Sequence, residues 1–480
     1  MKSKLFPILA ASVLVLFSLT SVASADEAML MNMLETLQKQ VAQMQRTIDQ
    51  QSEKIRMLER REPSLQIPGV QPAAAEAAPP MSDYEFGERL GNALGGANKW
   101  LKDLKFGGDL RLRYEGFDYT NGTTSETDPQ NRFRYRLRYG FEKKFNEDMK
   151  IGFAMASGQS SNGVNVDPTS TNSSFDNLFN YDDIFIEKAY GTYTPGLLKG
   201  KGPIQDFEIT AGKFTNPFER GSSDMVWDRD VKPEGIYERV NLKLLDTSDF
   251  DLSSYFTAGQ FVLDEDSTVG GDSELFAYQL GLNPVVYVPF MERPVELLSA
   301  VSFYSSNDYA VRSNWYIGTT SLARGNSICT SANLCSEDFE VWDYYNEIAF
   351  YPFGLPVRPF IDYATNAADN SLEDEDNAWA MGIKLGSMVK KGDWELSYTY
   401  KRIGPESVVG AFNDSDFGTG HNGKRGSVFK AGFALTDTIS VNAAAFFVNN
   451  LTTGLRSPGA TGVIRDEEQR RFQIDLNWKF

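Results

Sequence analysis

A chain of 480 residues is long enough for two or three ordinary domains, yet a large barrel runs as one unit because its size grows with strand number. Its net charge of −18, from 65 acidic and 47 basic side chains, argues against a nucleic-acid binder, which needs a basic surface to displace counterions. A negative mean hydropathy excludes a bundle of membrane helices but not a membrane β-barrel, in which only alternate strand residues meet lipid.

Residues 1–25 read as a signal peptide. Lys2 and Lys4 precede an apolar run from Leu5 to Leu19, and Ala23-Ser24-Ala25 supplies the small residues that place cleavage before Asp26. The run is too short for a spanning helix. Residues 26–62 carry a heptad seam, with Leu34, Val41, Ile48 and Ile55 at a and Leu30, Leu37, Met44, Gln51 and Leu58 at d. A parallel coiled coil follows from this spacing, in the periplasm, and with it a homo-oligomer, trimeric or dimeric. The proline- and alanine-rich run from Pro63 to Pro80 cannot continue the helix and reads as a tether. With a short approach segment it fills residues 63–103.

From residue 104 to 480 the chain reads as strands. Lys105, Asp109, Arg111, Arg113 and Glu115 alternate with Phe106, Gly108, Leu110, Leu112 and Tyr114. In the next strand Arg132, Arg134, Arg136 and Arg138 alternate with Phe133, Tyr135, Leu137 and Tyr139. An arginine facing lipid at mid-membrane costs ~2–4 kcal/mol, so four would cost roughly 8–16 kcal/mol. These six arginines therefore face a lumen, and six cations against Asp109 and Glu115 leave a local positive surplus. In the third strand Gly152, Ala154 and Ala156 would leave the lumen open beside them, and the later strands offer small or polar residues on the face turned inward.

Further strands are expected at 184–193, 207–214, 236–244, 250–263, 274–282, 295–304, 339–351, 357–365, 378–386, 394–402, 424–435, 438–449 and 468–480. The fold class is thus all-β, an antiparallel transmembrane barrel of about sixteen strands in which short turns alternate with long external loops. Cys329 and Cys335, in a Gly/Ser/Asn-rich loop of an exported chain, can pair as a staple worth ~2 kcal/mol or stay as two thiols. His421, the chain's one histidine, sits in a Gly/Asn/Asp-rich stretch and reads as a solvated loop residue. No catalytic residue, metal site or cofactor is expected. The last strand sets Phe472, Ile474, Leu476, Trp478 and Phe480 on one face and Arg471, Gln473, Asp475, Asn477 and Lys479 on the other. An exposed edge this apolar would be an aggregation hazard in a soluble protein.

That terminal strand resembles the signature that outer-membrane barrels present to their assembly machinery, with Trp478 and Phe480 carrying it. Gly212-Lys213-Phe214-Thr215-Asn216-Pro217-Phe218, Trp227-Asp228-Arg229-Asp230 and Pro233-Glu234-Gly235 extend the likeness. From about Leu104 onward the chain resembles the putative porins of Gram-negative bacteria, relatives of the general and phosphate-selective porins. The resemblance implies a passive outer-membrane channel for small hydrophilic solutes, usually trimeric, whose third external loop folds inward. Here that loop is Asn216 to Gly235, and its acids Glu219, Asp224, Asp228, Asp230 and Glu234 would face the arginines, setting a transverse field while the arginines attract anions. Two other readings stand beside this one. The barrel could anchor a coiled coil that tethers outer membrane to cell wall, or it could be an outer-membrane barrel enzyme.

Overall fold

The computed structural model describes residues 103–480 apart from 121–129, 159–167, 219–222, 265–271, 369–375, most of 308–338, most of 452–467 and a few single positions. The signal peptide, coiled coil, tether, Glu219, Cys329, Cys335 and His421 lie outside the described residues. What is described belongs to one unit, Gly87–Phe480.

Sixteen long strands follow in chain order: β1 Leu104–Thr120, β2 Gln130–Lys144, β3 Met149–Gly158, β4 Asp183–Tyr193, β5 Ile204–Lys213, β6 Glu234–Asp246, β7 Phe250–Asp264 and β8 Ser273–Val286. Then come β9 Val295–Asn307, β10 Glu340–Ala349, β11 Val357–Asn366, β12 Asn377–Gly386, β13 Trp394–Ile403, β14 Lys424–Ala434, β15 Ile439–Asn450 and β16 Glu468–Lys479. Each pairs antiparallel with its sequence neighbours. β1 pairs with β16 as well, from Asp109 opposite Lys479 to Thr120 opposite Glu468, so the sheet closes into a barrel with no free edge. Closure also seats the chain end, where the Gly108 and Phe480 backbones exchange N–H···O bonds of 2.9 and 3.1 Å.

The period-two alternation gives the two faces. Phe106, Phe133, Tyr139, Ile186, Phe256, Leu280, Met381, Phe429 and Ile474 stand exposed on the outer wall, an apolar girdle that requires lipid. The inner face departs from the expectation of small or polar residues. Phe261, Leu275, Tyr304, Tyr345, Phe360, Ile403, Val428, Phe446 and Val448 are buried in an apolar cluster inside the barrel. In these strands both faces are apolar, so alternation alone does not say which side is wet. The third strand is also less open than expected, because the Tyr190 ring fills the space where Gly152 would carry a Cβ.

That cluster is completed by two loops. Gly212 and Gly235 face each other across the β5–β6 rim with φ of 119° and 148°, and a Cβ on either would meet a neighbouring carbonyl oxygen at 2.2 Å. Glycine permits this tight neck, which the Phe214 N–H closes on Pro233 O at 3.1 Å. The third external loop, residues 214–233, then turns inward and buries Phe214, Phe218, Met225 and Trp227. The β13–β14 loop, residues 404–423, also turns inward, burying Val408, Ala411 and Phe417 in the same cluster.

Candidate functional site: the arginine strip and two inward loops

The site is built from β1, β2 and β16 on one wall and the two loops opposite. Along the wall the inward arginines run in register, Arg111 beside Arg136 and Arg113 beside Arg134, with Arg471 entering from β16. Arg111, Arg113, Arg136 and Arg138 line a cavity of about 1080 Å³ whose lining also includes Asp228 to Asp230 of the third loop and Asp414 to Asp416 of the β13–β14 loop.

The expected positive surplus is met by acids brought from distant elements. Arg113 forms a bidentate pair with Asp475 at 2.7 and 2.8 Å, and reaches Asp416 at 3.2 Å. Arg138 contacts Glu187 of β4 at 3.0 Å, Asp230 at 3.1 Å and Asp109 at 3.2 Å. Arg136 binds Asp109 at 2.7 Å and stands 3.6 Å from Asp230. Glu115, fully buried, lies between Arg132 at 2.7 Å and Arg471 at 2.6 Å, with Arg134 at 3.9 Å. Arg111 and Arg134 instead hold Asn172, the first on its side-chain oxygen at 2.5 Å and the second on its carbonyl at 3.3 Å. Counting Arg471, seven guanidinium groups meet six carboxylates, those of Asp109, Glu115, Glu187, Asp230, Asp416 and Asp475.

The acids proposed for the third loop part company. Asp230 crosses to the arginine wall. Asp224 faces the other way, accepting from Arg229 at 2.9 Å and from Lys430 of β14 at 3.3 Å. Asp228 joins the two loops: its carboxylate accepts the Ser415 N–H at 2.9 Å, and its own N–H donates to Phe412 O at 2.6 Å. Glu234 is not a loop residue at all. It opens β6 and pairs with Lys213 at the rim, 2.5 Å away and half exposed, because the Gly212–Gly235 neck ends the loop two residues earlier than the spacing suggests.

The β13–β14 loop is the element that sequence reasoning missed. Asp416 lies 3.2 Å from Arg113 and 3.1 Å from Arg471. Burial alone would push its carboxyl up, but Arg471 and Arg113 outweigh burial and hold it far below the usual carboxylate range. Asp414 binds the buried Lys401 of β13 at 2.8 Å, whose ammonium also stands 5.2 Å from the Phe417 ring centre. Asparagines satisfy the loop's buried backbone: Asn326 and Asn422 both donate to Pro405 O and Val408 O, and Asn366 donates to Glu406 O. The loops meet where Trp227 stacks on Phe412, centroids 5.0 Å apart and planes at 16°. The one signal in the sequence was the aromatic content of both loops, Phe214, Phe218 and Trp227 in one and Phe412 and Phe417 in the other, which water would not retain.

Such an arrangement can hold a hydrated passage with fixed charge of opposite sign across it. Comparison with protein families finds that the model described as Putative porin matches residues 119–326 and 346–480. Among solved structures, this chain is similar to OprB of Pseudomonas putida in its high-pH structure, with 13% identity and a TM-score of 0.45 over 81% of this chain and 97% of that one. It is similar to an anion-selective porin from Comamonas acidovorans, with 10% identity and a TM-score of 0.41 over 78% and 99%. It is similar too to OmpF of Salmonella typhi in complex with daunomycin, with 9% identity and a TM-score of 0.41 over 78% and 97%. No curated protein matches.

Proposed function

The chain belongs to the Putative porin family, an outer-membrane channel fold, and from that premise we propose that it is a passive diffusion channel, not an enzyme, that passes small hydrophilic solutes or ions and favours anions. The observation that carries this reading is the 1080 Å³ cavity that runs along four inward arginines. A guanidinium strip facing Asp228, Asp230 and Asp416 sets a transverse field, which orients polar solutes and raises the local concentration of anions. Arg111 and Arg134 approach carboxylates only at 3.9 Å among the described residues, so in this reading their guanidinium groups have the most charge to offer a passing anion. Its partners in this reading are outer-membrane lipid, the barrel assembly machinery, which reads Trp478 and Phe480, and further copies of the chain joined by the periplasmic coiled coil.

Replacing both Arg134 and Arg136 with Gln should lower the anion-to-cation permeability ratio while the barrel stays folded and heat-modifiable. Reversal potentials in a salt gradient read this directly. An unchanged ratio in the folded double variant would make these arginines wall struts. Deleting Phe480 should deplete folded barrel from the outer membrane, and normal levels would remove it as an assembly signal.

One observation favours a second reading, in which the barrel chiefly anchors a coiled coil that reaches the cell wall. The two inward loops fill one side of the lumen with a packed apolar cluster, as an anchor could tolerate. Deleting Asp26–Pro80 and measuring solute influx beside envelope integrity separates the two: a channel loses little influx, whereas a tether loses integrity.

A further inference from the structure

We infer that a second cavity, at the external ends of β3 to β8, seats the apolar body of a small organic anion, so that the solutes this channel prefers are amphiphilic carboxylates carrying a ring or a short hydrocarbon chain. The inference rests on the reading that the channel favours anions, and it names their class.

The second cavity measures about 360 Å³. It lies where the strands meet the external loops: Lys213 ends β5, Glu234 opens β6, Leu263 is next to last in β7 and Leu275 is third in β8. The arginine-lined cavity reaches the opposite rim instead, at Lys105 near the start of β1, Glu395 near the start of β13 and Lys479 at the end of β16. Glu187, Asp230 and Lys232 line both. Arg138 holds Glu187 at 3.0 Å and Asp230 at 3.1 Å, so this cluster of charges stands where the two cavities meet.

The walls of the second cavity are unlike those of the first. Phe185, Trp227, Phe261, Leu263, Leu275 and Phe412 make them apolar. Phe185 points inward because it lies two positions before Glu187, which reaches Arg138 inside the barrel. The stacked Trp227 and Phe412 bring one wall from each inward loop. Charge is confined to the two ends, where Lys213 pairs with Glu234 at the rim and the three shared residues adjoin the arginine cavity.

A hydrated inorganic ion gains nothing from such walls, since an apolar passage opposes it by dewetting. Away from the ends, the side-chain hydroxyls on offer are those of Ser170 and Thr171, too few to meet the many hydroxyls of a sugar. Sites for small molecules enclose about 300–1,000 Å³, are mostly apolar, and fix orientation with a few placed polar groups. The second cavity has that size and that make-up. With its body against the rings, a carboxylate at the shared end meets Lys232 and has Arg138, Arg136 and Arg111 ahead of it. The solute is thereby turned charge-first into the arginine strip.

The test reconstitutes the full chain in planar bilayers and reads chloride current while benzoate, acetate or neutral benzamide is added on both sides. Benzoate should halve the current at a concentration roughly tenfold lower than acetate, and benzamide should leave it unchanged. In Phe185→Ser, with its barrel heat-modifiable, benzoate should come within about threefold of acetate. Equal block by benzoate and acetate, block by benzamide as strong as by benzoate, or benzoate block undiminished in a folded Phe185→Ser overturns the inference. Should Phe185→Ser fail to insert, Leu263→Ser is read in its place by the same criteria. Each of those failures leaves anion preference standing, whereas a wild-type reversal potential without anion preference overturns the parent reading and the inference with it.

Discussion

The interior has two unlike sides. From β7 round to β15 it is a packed apolar core that grips both loops, with Phe218, Met225 and Phe417 fully buried. Along β1, β2 and β16 it is a sheet of ion pairs facing a cavity. Full burial of one large apolar side chain stabilises by ~1.5–3 kcal/mol, so three anchors hold the loops firmly. A buried ion pair returns little more than its desolvation cost. What the charged side contributes is position: Asp230 and Asp416 pair directly with Arg138, Arg113 and Arg471 beside the cavity. One side buries the loops' apolar anchors, and the other ties their acids to the arginine wall along the cavity.

The most severe way to break this division is to remove the anchors. Phe218→Ala with Trp227→Ala should cost ~3–5 kcal/mol for each ring, borne by the third loop rather than by the closed sheet. The barrel should stay heat-modifiable while single-channel conductance rises and becomes noisier. Unchanged conductance would mean that the charged contacts alone hold the loop.

A smaller effect is expected from Asp416→Asn. Arg113 keeps Asp475 and Arg471 keeps Glu115, so the loss should be ~1–3 kcal/mol in docking of the β13–β14 loop. Removal of one carboxylate beside two arginines should shift reversal potentials further toward anions.

The pH response of this contact should be smaller still. The folded-state pKa of Asp416 is depressed, so its contribution is present above the ordinary carboxylate value and is lost only as pH falls through the much lower folded one. Between about pH 5 and pH 8 the contact stays ionised, so the difference in conductance between the wild type and Asp416→Asn should be flat with pH as measured in planar bilayers. The mildest test is salt. As the screening length falls from about 10 Å at 0.1 M to about 3 Å at 1 M, anion preference should weaken while mean loop position, held by apolar packing, does not change.

The fold was legible because period-two alternation is a local property: the pure faces of Arg132–Arg138 and Phe472–Phe480 need no knowledge of the rest of the chain. The arginine strip was legible for the same reason. Its partners were not, since Asp475 lies 362 positions from Arg113 and only closure brings them together. The β13–β14 loop escaped because its Gly, Asn, Ser and Asp content describes an external loop equally well. Its buried backbone is satisfied from elsewhere in the chain, by Asn326 of another loop and Asn366 at the end of β11. The apolar side escaped because Tyr304 or Phe446 sits in a strand with large residues on both faces, where the pattern carries no direction.

The seam between β1 and β16 has a consequence for the order of synthesis. Arg113 is made among the first barrel residues, and Asp475 and Arg471 among the last. A chain interrupted before its final dozen residues lacks the strand that joins β1 to β15, and it also lacks the carboxylate that takes both Arg113 nitrogens and the guanidinium that holds buried Glu115. Charge balance on the wall and completeness of the polypeptide are thus one event, so an unfinished chain carries its own chemical mark of incompleteness into the membrane.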